Sequence, residues 1–332
     1  MNGFSLEPFR PVRGLRNPHV QTILADVVRS EEGVSFRRMA LETPDGDFVL
    51  LDFADVNGRS WAELGEKTPI VLALHGLEGS AQRSYMCELY RQLAQRGIRA
   101  VGMNFRSCGG VMNRTTTFYH AGATADVALV HEWLQTQFPN VPLGLVGFSL
   151  GGNILLKYLG EQGNRLVNRL ETAVAISPPF NLALDAQRLE RGMGLLYARR
   201  LLRKLKQKAR QKAPEIAAKV DLERLFRART LREFDDAWAP LHGFRNAADY
   251  YHQCSSGRFL TSICTPTLIL RALDDPFFMP DNIPHGEIIA NPHICVGLTA
   301  HGGHVGFLEG HPHRFQFWAE RQAARFVAQI LS

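Results

Sequence analysis

The chain has 332 residues, of which 45% are hydrophobic and 21% charged, with 38 basic against 32 acidic residues for a net charge of +6. That composition excludes a disordered or fibrous protein and gives enough chain for one large core carrying an insertion. Five scattered cysteines (87, 108, 254, 264 and 295), an odd number with no C-x-x-C, exclude a disulfide framework and point to a reducing compartment.

No apolar run approaches the length of a membrane span, and the first residues lack the basic-then-apolar pattern of a secretion signal. The expectation is a cytoplasmic protein. In chain order, Arg10, Arg13, Arg16 and Arg29 stand among prolines in an irregular lead-in with a short helix over residues 19–28. Extended runs at 34–42 and 47–56 flank Thr43-Pro44-Asp45-Gly46, whose Pro and Gly suit a tight turn, so a β-hairpin is predicted. The continuous apolar run 69–74 reads as a strand covered on both faces.

From there strands and helices alternate. Helix 84–96 leads to strand 99–104, helix 124–138 to strand 143–147, and helix 153–161 to strand 172–177. Strand 267–271, an apolar stretch at 294–298 and a terminal helix over 314–330 complete the pattern. This alternation predicts an α/β fold with a mainly parallel, doubly wound sheet and the hairpin as antiparallel strands at one edge. Residues 1–177 and 263–332 form the expected core, and residues 178–262, opened by Pro178-Pro179, a helical cap inserted into it.

Within the cap, Leu195, Ala198, Leu202, Leu205 and Ala209 fall at spacings of three and four in the basic stretch 195–212. The first reading is an amphipathic helix packed on the domain beneath. The sharper reading is peripheral contact with an anionic membrane. Nucleic acid is not expected, because no binding motif or interleaved aromatics accompany the charge.

Chemistry enters at Gly147-Phe148-Ser149-Leu150-Gly151, a G-x-S-x-G between a strand pattern and a helix pattern. A serine on such a sharp strand-to-helix turn is a nucleophile elbow, and the glycines keep side chains out of the crowded corner. A serine hydroxyl needs a base and a group orienting that base, which in this architecture follow as acid and then histidine on later strand-end loops. Asp274 and Asp275 follow strand 267–271; Asp275 is the chosen acid and Asp274 the fallback. Thr299-Ala300-His301-Gly302-Gly303-His304 follows the next strand, with His304 as the base and His301 in a supporting part. The backbone amides of Leu77 and Leu150 are the expected oxyanion donors. No metal is expected at the cluster of His301, His304, His311 and His313, since no carboxylate or cysteine stands at a familiar ligand spacing. Cys108 reads as a buried loop cysteine rather than a rival nucleophile.

These segments, together with Asn17–Thr22, His75–Ser80, Asn104–Gly110, Tyr119–Gly122 and Asp126, resemble the α/β-hydrolases, and within them the YheT-like branch related to the ABHD-type lipid hydrolases. They span nearly the whole chain in the family's order. The resemblance implies a Ser149, Asp275, His304 triad, hydrolysis of a small-molecule acyl ester or lipid, and no cofactor. Roles for Asn17–Thr22 and His120 do not follow from the residues. Arg106 has two open readings, contact with a substrate carboxylate or the pinning of a loop.

Overall fold

The structure is a computed structural model that describes residues 4–331; residues 1–3 and 332 of the expected core lie outside the described residues. After helix α1 (Pro18–Val28), strands β1 (Val34–Glu42) and β2 (Phe48–Val56) pair antiparallel. Their turn closes through Gly46 N–H to Thr43 O and Thr43 N–H to Asp47 O, with Gly46 at φ 78° as a tight turn requires. Then follow β3 (Ile70–Leu74), α2 (Ser84–Ala94), β4 (Arg99–Asn104), α3 (Thr124–Gln137), β5 (Leu143–Phe148), α4 (Leu150–Gln162) and β6 (Thr172–Ile176).

Helices α5 (Leu182–Leu189), α6 (Gly194–Gln211), α7 (Ala213–Ile216), α8 (Leu222–Arg227), α9 (Leu231–Trp238) and α10 (Ala247–Cys254) intervene before β7 (Thr267–Ala272). The chain closes with α11 (His285–Ala290), β8 (Ile294–Thr299), β9 (Leu308–His311), β10 (Arg314–Phe317) and α12 (Trp318–Leu331).

The main sheet runs β1-β2-β4-β3-β5-β6-β7-β8, parallel from β4 onward. The period of two is visible in its core. Ile70, Leu72 and Leu74 of β3 belong to the apolar layer shared with α3 and α4, whereas Val71 and Ala73 belong to the layer shared with α2 and α12. A strand covered on both faces therefore reads as an unbroken apolar run. Helices α5 to α9 have a separate cluster that includes Leu189, Ala198, Leu202, Leu225 and Phe234, and Ala247 and Tyr251 of α10 pack with Ala186 of α5.

One expectation is corrected at the C-terminus. Residues 314–317 are not the first turn of the terminal helix but strand β10, paired antiparallel with β9 from Arg314↔His311 to Phe317↔Leu308. Arg-Phe-Gln-Phe alternates with period two, and Phe317 and Phe315 pack with Val12, Ala25 and Leu308 in a small core beneath α1. The helix starts only at Trp318.

Candidate functional site

The carboxyl ends of the parallel strands carry the site. β5 runs directly into Ser149, which has φ 50° and ψ −119°, and the next residue begins α4. A non-glycine residue in that region is strained, and the surroundings over-determine it. A Cβ on Gly147 would stand 2.5 Å from Gly151 O, and one on Gly151 would stand 2.5 Å from both Leu74 O and His75 O. Glycine is required at both places because backbone occupies the space a side chain would need. The Ser149 amide donates to Ile176 O of β6 at 2.8 Å, fixing the turn to the neighbouring strand.

Facing it, His304 Nε2 lies 2.9 Å from Ser149 Oγ, and His304 Nδ1 lies 2.9 Å from Asp275 Oδ2. Asp275 is buried and its other oxygen accepts the Phe277 amide at 2.9 Å. The Phe277 ring stacks on the His304 imidazole with centroids 4.2 Å apart, and Phe278 meets its edge. Asp274 does different work. Its Oδ1 accepts the Gly303 amide at 2.9 Å and its Oδ2 lies 3.3 Å from His301 Nδ1, so the Asp274 carboxylate ties down the loop that presents His304.

The histidine loop is held chiefly by α1, through residues the sequence reading left without a role. Asn17 caps the helix by accepting from the amides of His19 and Val20. Thr22 Oγ1 accepts the His304 amide at 2.9 Å. The buried Gln21 amide side chain accepts from Leu308 N–H and donates to Leu308 O. Arg29 just past the helix donates to Val305 O at 2.7 Å and Gly306 O at 3.0 Å, and pairs with fully buried Glu320 of α12 at 2.7 Å. Burial pushes the Glu320 carboxyl up to about 7. This bracing maintains positive φ at both Val305 (57°) and Phe307 (44°), conformations that neither side chain favours. No motif statistic points to Thr22 or Arg29. The only signal was that Asn17–Thr22 belongs to the resemblance.

The loop after β3 abuts the serine. A Cβ on Gly76 would stand 3.2 Å from Ser149 Cβ. His75 is buried and neutral, since burial lowers it to about 4. Its Nδ1–H donates to Gly76 O and its Nε2 accepts the Phe105 amide. Glu78, at φ 55°, is fastened through its amide to Tyr119 Oη and through its carboxylate to Tyr119 and Lys208 of α6. Among the described residues the amides of Leu77 and Leu150 have no protein acceptor. That of Leu150 opens α4, where helix amides and the dipole both favour negative charge.

Cys108 lies under this loop, its Sγ accepting from Lys208 Nζ, and burial pushes its thiol up to about 11. Arg106 is a brace. It makes a two-pronged pair with Asp126 (2.8 and 2.7 Å) and reaches Asp45 in the hairpin turn at 2.5 Å. His120 packs against His242 and Phe244. His311 and His313 lie at the β9–β10 turn, and among the described residues no three of His, Cys, Asp and Glu gather as metal ligands. Beside Ser149 opens a cavity of about 560 Å³, walled by α5, α6, α9 and α10 through residues such as Leu182, Leu189, Leu201, Leu205, Phe234 and Trp238.

The sequence matches the family described as alpha/beta hydrolase fold over residues 69–311. It is 39% identical to the putative esterase YheT of Escherichia coli (strain K12), over 97% of this chain and 94% of that protein. It is 31% identical to the phospholipase ABHD3 of Mus musculus, over 94% of this chain and 76% of that one. A solved esterase of Pyrococcus furiosus superposes with a TM-score of 0.58 over the full length of both chains at 16% identity, a likeness of fold alone. On the family match and on the two relatives, the chain belongs to the α/β-hydrolase family, in its YheT-like branch.

Proposed function

We propose that the protein is a serine hydrolase of carboxylic esters, with Ser149 as nucleophile, His304 as general base and then acid, and Asp275 orienting His304. The observation that carries this reading is the unbroken chain of contacts from Ser149 Oγ through His304 to Asp275, 2.9 Å at each link. Buried Asp275 at Nδ1 favours the tautomer whose Nε2 is free to accept the serine proton, and stabilises the imidazolium that forms.

Ser149 Oγ attacks the ester carbonyl while its proton passes to His304 Nε2. The carbonyl oxygen, now an oxyanion, takes the amides of Leu77 and Leu150. Collapse of the intermediate returns the proton from His304 to the departing alkoxide, which leaves as an alcohol. Water, deprotonated by the same histidine, then releases the acid from the acyl-enzyme. The apolar wall of the cavity supports acyl esters of short to medium chain as substrates. No cofactor enters the scheme. The names of the bacterial and mouse relatives, an esterase and a phospholipase, agree with the ester bond as the target.

The test is labelling with a serine-directed phosphonate, followed by a panel of esters of graded acyl length, including phospholipids and thioesters. Covalent modification at Ser149 that abolishes ester turnover is expected. Persistence of turnover in fully labelled protein would overturn the assignment.

A further inference from the structure

Of the eight basic side chains in the stretch 195–212, four lysines are engaged in hydrogen bonds and Arg210 lies over the Phe226 ring. Lys204 donates to Glu78 O, Lys206 to Phe226 O and Ala228 O, Lys208 to Glu78, and Lys212 to Thr115 O. These lysines dock α6 onto the protein. What remains is the outward stripe of its first half. Leu196 is 54% exposed, and Arg199, Arg200 and Arg203 follow it on the same face, each exposed. Their guanidinium groups have no hydrogen-bond or ion-pair partner among the described residues.

A second exposed stripe lies alongside. Val20, Ile23 and Val27 occupy one face of α1 at spacings of three and four and are 39%, 51% and 73% exposed. Apolar residues on the outside of a helix whose inner face holds the histidine loop do nothing for the core. The two helices touch at their N-terminal ends, where His19 Nδ1 and Tyr197 Oη are 3.0 Å apart and the rings stack. Ile23 and Val27 from α1 and Arg200 from α6 also line the cavity beside Ser149, so both stripes stand at its mouth. Among the acidic side chains that line the cavity, Asp26 is taken by Arg83 and Glu78 by Lys208, each at 2.9 Å, and Asp185 and Asp235 are not on either stripe.

We propose that this mouth is a docking surface for an anionic lipid surface. Val20, Ile23, Val27 and Leu196 enter the headgroup boundary, and Arg199, Arg200 and Arg203 meet lipid phosphates. The chemistry is that of an interfacial helix, in which modest apolar area combines with cations that add about 1 kcal/mol each near an anionic bilayer. The orientation sets the cavity mouth against the membrane, so a lipid acyl chain can pass to Ser149 without crossing bulk water. The surface follows from exposure and charge and does not depend on the role given to Ser149.

The experiment is co-sedimentation of the full chain, with and without Ser149→Ala, on vesicles of phosphatidylglycerol mixed with phosphatidylcholine and on vesicles of phosphatidylcholine alone. Binding to the anionic vesicles is expected, weaker on neutral ones, falling as salt is raised, and equal for the two forms of the protein. Neutralising Arg199 and Arg203 together to Gln is expected to weaken binding about thirtyfold, from about 1 kcal/mol per charge. Val20→Glu acts on the apolar stripe and is expected to abolish most of it. None of these three residues lines the cavity, so turnover of a short water-soluble ester stays at the wild-type rate and certifies the fold of each variant. Equal binding to neutral and anionic vesicles, or no binding to either, would overturn the proposal. So would concentration-dependent dimerisation that Val20→Glu abolishes while vesicle binding is absent, because a second copy would then be the occupant.

Discussion

The two halves of the proposed catalytic arrangement are held in different ways. Ser149 is positioned by its own neighbours in sequence: β5 behind it, α4 ahead, and glycines at 147 and 151 whose missing side chains make room for backbone. His304 is positioned by strangers. Its amide is held by Thr22, 282 residues away, and the carbonyls that follow it are held by Arg29, itself anchored on Glu320. A strained turn can be set chiefly by the strand, glycines and helix that adjoin it, with Ile176 O of β6 and the carbonyls of Leu74 and His75 closing it from outside. A loop returning late in the chain has no such neighbours and must borrow its rigidity from another element. α1 is that element, and a helix outside the main sheet thereby becomes part of the framework of the proposed site.

The largest effects should come where either half loses its reacting group. Ser149→Ala is expected to lower ester turnover by about five or six powers of ten, the scale seen when a triad serine is removed. Asp275→Asn should cost about four powers of ten, because the amide favours the wrong tautomer of His304. Asp274→Asn, one residue away, should cost far less, since Asp274 holds the loop through Gly303 and His301 rather than His304 itself. Steady-state kinetics on one soluble ester would order the three. Equal losses at 274 and 275 would break the assignment of the acid.

Next in size is the long-range brace. Arg29→Met removes one partner of a buried ion pair and strands the Glu320 carboxylate, which typically costs about 3–5 kcal/mol. Because Arg29 also carries Val305 O and Gly306 O, turnover should fall along with thermal stability. Glu320→Gln together with Arg29→Met should recover part of the stability while leaving turnover low, since no carbonyl brace returns. Recovery of both would mean that the loop does not need the guanidinium.

Thr22→Val is subtler. It keeps the shape of the side chain and removes the acceptor for the His304 amide, a loss of about 1–3 kcal/mol for a buried donor left unpaired. The expected signature is a lower kcat, by about 5- to 150-fold if the full cost falls on the reactive geometry, with KM nearly unchanged. Thr22→Ser, which restores the hydroxyl, should restore kcat. A variant that loses stability but no kcat would demote Thr22 to a structural role.

How much of this was legible in the sequence follows from the same contrast. The serine half could be read because strand, glycines and helix are contiguous, and the alternation of strands and helices gave the sheet that carries them. The candidate acid and histidine come from chain order, which restricts them to the ends of β7 and β8, and the structure brings Asp275 to His304 and His304 to Ser149. What Asn17–Thr22 does could not be read. Thr22 and His304 are linked only by the fold, and a threonine in a short helix looks like any other. Arg106 had two readings, and only the position of Asp126 and of the hairpin turn, with Asp45 at 2.5 Å, makes it a brace. The β9–β10 hairpin was missed because four alternating residues, Arg314–Phe317, run without a break into a helix, and so short a period-two signal is absorbed into the longer periodic one.

The smallest effect belongs to a brace that serves neither half directly. Asp47 sits under the hairpin, where burial alone would raise its carboxyl. Hydrogen bonds from the side chains of Asn113 and Thr115 and from the amides of Arg114 and Phe48 outweigh it, and the group is lowered from its ordinary 3.8 to about 2. A carboxyl held below its unfolded value binds its proton more weakly in the folded state, so its stabilising contribution is fully present above pH 3.8 and is lost as pH falls towards 2. Asp47→Asn should therefore lower Tm at neutral pH while leaving kcat near the wild-type value, because no member of this network touches Ser149, Asp275 or His304. The gap in Tm between wild type and variant should then close as pH is taken from about 4 to about 2. Thermal unfolding followed across that window is the measurement. A gap that stayed constant would assign the loss to packing rather than to the ionised carboxylate.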